Sequence, residues 1–494
     1  MDVEEAASAD HCNHACRRIG KTLSPTPENP AKTVTVVGGG VAGMSAACAL
    51  AEAGFSVQLV ERRGYLGGRA SSYLHPGVNE VIDNCQHVLF GCCTNLIGFY
   101  RRIGVADRIH WTSEMTMIEP GGRRSLLGPS WLPAPLHGLP RLLSTHAFTL
   151  ADKMALARAF RALMNPSALD HSSESLGDWL RRHRQTTGAM NHFWRLVIAS
   201  ALNGDIENIA MHYAAKVIRE LFMNSVEAGS MGMSTVPLSN LYEGAERFLE
   251  VNGSKVLLNS TVESLHWDDE TKVWSIETRS GRLTSDYVIL ALPFEALGKL
   301  LPQMPAVEGA ESLAKQIAHL QHWPICSVHL WFDREITELD HAVLLDREVH
   351  WMYNKGKLQP WRKLKGSYLE LVVSASGSFA ALDRNEAIAL TVGELAEFFP
   401  AVKDAKLEKA ALIKEMRATF GVPPGIDASR PHVDSPWPNL YLAGDWIDTA
   451  WPSTMESAAR AGHLAAETLS DEAENPVRPF EKDLKPTGLM RFFN

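Results

Sequence analysis

Gly38, Gly40 and Gly43 stand at the spacing G-x-G-x-x-G directly after the β-branched run Thr33-Val34-Thr35-Val36-Val37. A strand that feeds such a turn and then a helix builds an anion site. Gly38 allows the tight turn, Gly40 lets the backbone approach a pyrophosphate, and Gly43 lets helix and strand pack closely. The helix that follows, from Ala42 to Ala53, adds unpaired N–H groups and the positive end of its dipole. A second strand, Ser56 to Val60, ends in Glu61, whose carboxylate can accept both hydroxyls of an adenosine ribose. An acid at that point selects an unphosphorylated ribose over NADP.

The chain continues Glu61-Arg62-Arg63-Gly64-Tyr65-Leu66-Gly67-Gly68-Arg69-Ala70. Gly67 and Gly68 permit a turn against the nucleotide, and the forked guanidinium of Arg69 suits a pyrophosphate. Arg62, Gly68 and Arg69 therefore join the expected cofactor-binding set. This second glycine pair and arginine resemble those of flavoproteins of the amine oxidase and phytoene desaturase type. The resemblance implies FAD as the cofactor.

The other half of such a site lies far downstream. Leu440-Tyr441-Leu442-Ala443-Gly444-Asp445 is a strand ending in Gly-Asp, and Pro452 to Leu469 reads as a helix with proline at its start. In the flavoproteins this resembles, the Gly444-Asp445 position binds the ribityl chain. The helix N-terminus at Thr454 and Met455 faces the flavin N1–C2=O edge, where its dipole favours the charge of reduced flavin. Between the two halves, Lys255 to Val262 and Tyr287 to Pro293 match two further strands of the same superfamily, with Val262 set on the adenine.

One segment narrows the resemblance. Val81-Ile82-Asp83-Asn84-Cys85-Gln86-His87-Val88-Leu89-Phe90-Gly91 is similar to the D-N-G-Q-H segment of the squalene-associated flavoenzymes, the hydroxysqualene dehydroxylases. Gly444-Asp445-Trp446-Ile447-Asp448-Thr449 through Ala458 resembles their G-D-W-T-D-T-x-x-P-A-T-x-E-G-A pattern. Cys85 and Ser457 each stand where that family usually has glycine. The likeness runs from about Thr33 to Leu469. It implies reductive dehydroxylation, with hydride passing from reduced flavin N5 to an allylic carbon while water leaves. Hydroxide is a poor leaving group, so this chemistry wants an acid in an apolar cavity. Asp83 and His87 are the expected acid or its hydrogen-bond partner, with Asp448 behind them. His87 is equally readable as a histidine that only hydrogen-bonds backbone near the cofactor.

Three rivals share parts of this pattern. A carotenoid-type desaturase has every flavin motif and runs the flavin in the opposite direction. Amine oxidases commonly carry an aromatic residue where this chain has Thr454. Rab GDP-dissociation inhibitors bind prenyl chains on a related fold without flavin, and such carriers have no use for Glu61, Arg69 and Asp445 together.

Positioning these residues requires an α/β architecture, a two-dinucleotide-binding (Rossmann-like) FAD domain with an interleaved α+β substrate domain. The FAD domain is expected over 32–105, 240–297 and 436–470, and the substrate domain over 106–239 and 298–435. Helices are expected at Asp152 to Met164 and Leu176 to Arg184, and strands at Ile325 to Phe332 and Ser367 to Val373. Residues 1–31 read as a disordered leader and 471–494 as a C-terminal tail.

With 494 residues, 45 % hydrophobic and 21 % charged, the chain has the composition of an ordinary globular protein of more than one lobe. A net charge of −9 gives no basic face for nucleic acid. No apolar run approaches the length of a membrane span, and the first 32 residues lack an export signal, so a cytoplasmic address is expected. Seven scattered cysteines suit free thiols. His11, Cys12, His14 and Cys16 lack the second half of a zinc site, and no metal is expected. Pro129 to Leu143 is either buried core or a membrane-facing lip for a lipophilic isoprenoid substrate. The tail from Leu484 to Phe493 is a weaker candidate for attachment to the cytoplasmic membrane face. No second G-x-G-x-x-G is present, so the electron donor is expected to be a diffusing NAD(P)H or a redox protein.

Overall fold

Thr33–Val37 (β1) is almost wholly buried and pairs in parallel with Ser56–Val60 (β2), because strands covered on both faces can be continuously apolar. The computed structural model describes residues 31–170 and 173–493. Between these strands lies the helix Val41–Glu52 (α1), terminated where Gly54 adopts a positive φ of 89°. Lys255–Leu257 (β3) adds beside β2, while Tyr287–Leu290 (β4) and Leu440–Leu442 (β5) add on the other side of β1. The result is a five-stranded parallel sheet in the order β3-β2-β1-β4-β5, assembled from segments spread between Thr33 and Leu442.

The helix Met455–Glu472 (α2) packs on α1 at very close range. A Cβ on Gly462 would stand 2.2 Å from the Ala42 carbonyl oxygen, so the alanine- and glycine-rich composition of both helices is what lets them meet. The expected proline start is displaced. Pro452 and Ser453 lie in the preceding loop, and Thr454 is the N-cap, its hydroxyl accepting from the Ser457 N–H at 3.1 Å. An antiparallel three-stranded sheet, Val262–Asp268, Val273–Thr278 and Gly281–Ser285, fills the connection from β3 to β4.

A second lobe is built on a seven-stranded sheet. Its strands run in the order Leu407–Phe420, His322–Phe332, Tyr368–Val373, Trp351–Asn354, His341–Leu344, Met115–Ile118 and Arg124–Leu127. One face carries its own apolar core under the helix Arg384–Phe398. The segment 106–239 supplies two strands to this sheet before the helices Leu150–Leu163, Leu176–Arg182 and Met211–Ile218. A hairpin, Ser72–His75 with Glu80–Asp83, leads from the glycine loop toward the second lobe. Among the described residues, no helix is long and apolar enough to cross a membrane.

Candidate functional site

At the nucleotide end, Gly38 has a φ of 112°, and a Cβ there would meet the Ala291 carbonyl oxygen at 2.3 Å. Gly43 is equally constrained, its missing Cβ falling 1.9 Å from Gly38 O. Gly40 differs: nothing lies within 4 Å of its Cβ position. The glycine is therefore not required by packing, which is what a backbone kept clear for a pyrophosphate demands. α1 has no side-chain N-cap and no acid in its first turn, so its N-terminal amides and dipole face this clearing unneutralised.

Glu61 ends β2 with its carboxylate held in place. One oxygen accepts from Gly39 N–H at 2.7 Å and the other from Arg63 N–H at 2.8 Å, leaving a lone pair on each for a ribose hydroxyl. The strand start at Val262 lies close by, because the loop before it returns to Glu61 through the Ser260 N–H bond to Glu61 O at 2.9 Å. The second glycine pair closes over the first, with Gly67 N–H donating to Gly39 O at 2.8 Å. Arg62, also expected to hold cofactor, is exposed on this loop. Arg63 is the arginine tied to this loop, donating to Gly68 O at 2.8 Å.

At the flavin end, Arg69 and Asp445 form a direct ion pair across a separation of 376 residues. Arg69 also donates to Ala418 O at 3.0 Å. The two halves of the expected site are thus one place. Asp445 also accepts from the buried Ser453 hydroxyl. Ser457 links the same loop to α2: its hydroxyl meets Thr449 Oγ1 at 2.7 Å and donates to Asp445 O at 3.0 Å. The serine that departs from the family glycine therefore has a structural partner. Met455 opens α2, half-buried, beside Thr454. Together these residues fit FAD: a clear glycine backbone, the uncapped N-terminus of α1 and paired polar groups at the ribose and ribityl positions.

The segment from Asp83 to His87 lies against this end. Asn84 Nδ2 donates to Arg69 O at 3.2 Å and to Glu415 Oε2 at 3.0 Å. Asp83 is buried and accepts from Ser72 Oγ at 2.5 Å, Leu238 N–H at 3.2 Å and Lys355 Nζ at 2.5 Å. Burial pushes its carboxyl up, but the Lys355 ammonium together with the hydrogen bonds from Ser72 and Leu238 outweighs this and holds it below the usual range. Asp83 is thus held toward its carboxylate form, which suits the hydrogen-bond-partner half of its expected role better than the acid half. His87 Nδ1 bonds Cys85 O at 2.8 Å, and burial lowers its basicity, which leaves Nε2 as the ring nitrogen not tied to backbone. Asp448 accepts from Ala450 N–H at 3.1 Å within its own turn. The three expected catalytic residues do not form one hydrogen-bonded relay.

Lys355 and Glu370, which sequence reasoning did not single out, complete the buried cluster around Asp83. Lys355 is 1 % exposed in its side chain, donates to Gln86 Oε1 at 2.7 Å and lies 3.6 Å from the wholly buried Glu370. Burial drives the Glu370 carboxyl up to about 7 despite the neighbouring Lys355. His329 joins this cluster through Tyr368 OH at 2.8 Å, and burial takes its imidazole down to about 3. A signal was present: Glu370 is the one charge in the apolar strand Tyr368–Val373, where an unpaired carboxylate is costly. The cluster His11 to Cys16 lies outside the described residues.

The parallel sheet, the glycine loops and the Arg69–Asp445 junction define an FAD-binding oxidoreductase of the two-dinucleotide-binding α/β type. The chain belongs to the flavin-containing amine oxidoreductase family, whose model matches residues 41–470. It is 24 % identical over 457 residues to a 15-cis-phytoene desaturase of Synechococcus elongatus, covering 88 % of this chain and 95 % of that protein. A zeta-carotene desaturase of Synechocystis is 26 % identical over 477 residues, covering 88 % and 96 %. Among solved structures, an oxidoreductase from Methanosarcina mazei superposes with a TM-score of 0.67 at 16 % identity, covering 89 % of this chain and all of that one. A putrescine oxidase gives 0.65 at 17 % identity, covering 90 % and 100 %. These structural likenesses speak to the fold.

Proposed function

We propose that the chain catalyses FAD-dependent reductive dehydroxylation of hydroxysqualene to squalene. The observation that carries this reading is the placement of the Asp83–Gly91 segment, the stretch most similar to squalene-associated flavoenzymes, which Asn84 ties to Arg69 at the flavin end. Bound FAD supplies the two-electron chemistry. The balance is R–OH plus two electrons and two protons giving R–H and water, so an acid must meet the leaving hydroxyl. The Lys355 ion pair favours Asp83 as a hydrogen-bond partner rather than as that acid. His87 is the remaining candidate, since a weakly basic imidazole is a strong acid once protonated. NAD(P)H or a redox protein would renew the reduced flavin.

The names of the relatives favour a second reading, desaturation of a polyene such as phytoene. One pair of incubations separates the two. Photoreduced holoenzyme is mixed anaerobically with hydroxysqualene, and squalene is followed by mass spectrometry with flavin reoxidation by absorbance. Stoichiometric squalene with reoxidised flavin is the expected result. Reduced flavin that persists without squalene sinks the dehydroxylase reading. Oxidised holoenzyme bleached by phytoene with loss of two hydrogens would establish the second.

A further inference from the structure

Nine of the seventeen large hydrophobic side chains that stand exposed among the described residues belong to two short stretches and the helix turn beside them. Trp131 is 89 % exposed, on the loop before the helix Leu139–Ser144, which itself turns Leu139 and Leu143 outward. The next helix begins with Leu150 and Met154, one turn apart and both exposed. Lys153 Nζ fastens that turn to the preceding helix by donating to Leu143 O at 2.8 Å and Thr145 O at 2.9 Å. The C-terminal segment then joins from more than 300 residues away. Leu489 N–H donates to Ala134 O at 2.7 Å, Thr487 N–H donates to Asn224 O at 2.7 Å, and Met490 is fully buried as the anchor. This latch holds Phe492, 81 % exposed, beside the Trp131 loop.

A patch this apolar is unusual on a soluble surface and marks a binding face. Its charge says what it binds. From Pro129 to Met164 the only acid is Asp152, committed to capping its own helix through Thr149. Arg141 and Lys153 lie in the same stretch, with Arg141 also 3.5 Å from Glu114. Residues 484–494 add Lys485 and Arg491 and no acid. In a chain of net charge −9 this is a cationic, aromatic-tipped island. A tryptophan and phenylalanines among basic side chains match the interface of a bilayer with anionic headgroups, where rings sit at headgroup level and each nearby cation gains from the surface potential.

We propose that the Trp131 loop and the latched C-terminal turn form one docking surface for an anionic lipid bilayer. This holds whichever polyisoprenoid is turned over, and its test involves no turnover. FAD-loaded full-length protein is sedimented with phosphatidylcholine vesicles with and without phosphatidylglycerol. Binding is expected to the phosphatidylglycerol vesicles, weakening at least tenfold on pure phosphatidylcholine or in high salt. Trp131→Ser combined with Phe492→Ser is expected to weaken it at least tenfold with unchanged flavin content, since both side chains are exposed. Lys485→Glu with Arg491→Glu is expected to abolish the preference for the anionic lipid. Failure of the wild type to bind vesicles, or a serine variant that binds as well as wild type, overturns the proposal. So does lipid-free self-association lost in the serine variant, which would make the patch an interface between copies of this chain.

Discussion

Replacing Lys355 by methionine keeps most of the side-chain volume and removes one ammonium from a place water does not reach. The partners are close: Asp83 Oδ2 at 2.5 Å, Gln86 Oε1 at 2.7 Å and Glu370 at 3.6 Å, with Asp83 only 3 % exposed in its side chain. At an effective dielectric of about 20, the Asp83 pair attracts by roughly 6 to 7 kcal/mol. Desolvation of the two ions costs several kcal/mol each, so the intact pair contributes little net stability. Truncating one partner is different, because it leaves the Asp83 charge buried with only Ser72 and Leu238 for company. The expected loss is about 3 to 5 kcal/mol. The assay is urea unfolding of the FAD-loaded protein followed by far-UV circular dichroism. Lys355→Met with Asp83→Asn should recover at least about 2 kcal/mol of that loss, since the orphaned charge is gone. The single variant should also release FAD more readily, because Asp83 anchors the loop whose Asn84 reaches Arg69. A single variant within about 1 kcal/mol of wild type, or a double variant in which the losses simply add, would refute the reasoning.

Glu370 should make stability fall with rising pH. Its folded pKa is raised to about 7, so the native state holds a proton that the unfolded state releases near the ordinary value of about 4.3. The contribution is complete below about pH 4 and is lost as pH rises through about 7; Glu370→Gln should gain roughly 3 to 4 kcal/mol over wild type at pH 8 and nothing at pH 4, read from urea midpoints. Gly43→Ala should give insoluble or flavin-free protein, because its Cβ meets backbone at 1.9 Å. Gly40→Ala should fold normally yet lose FAD affinity at least tenfold by fluorescence titration; wild-type affinity would show that the pyrophosphate does not lie there. Asp445→Ala should lower flavin retention during ultrafiltration at least tenfold, leaving the Arg69 guanidinium without its carboxylate, and full retention would remove Asp445 from the ribityl role.

The parallel sheet around the glycine loop, and the grouping of Glu61, Arg69 and Asp445 at strand and loop ends, are legible in local residue patterns. Val34 to Gly43 can only be a strand, a tight turn and a closely packed helix, because residue size and backbone freedom at those positions admit little else. Glu61, Arg69 and Asp445 were legible because their chemistry is local: each sits at the end of a strand or loop whose pattern announces it. Which of Arg62 and Arg63 reaches the Gly68 loop is not legible, because neighbouring residues of one type differ only in which way the loop turns them. Asp83 shows the larger limit. Its neighbours in sequence suggest an acid near the flavin, whereas its charge state is set by Lys355, 272 residues away, inside a space formed only when two lobes meet. Pairwise electrostatics in a buried site depends on distances that sequence order does not encode, and so do patches such as Trp131 with Phe492. The fold was written in local patterns; the protonation of its interior and the shape of its surface were decided by tertiary contact.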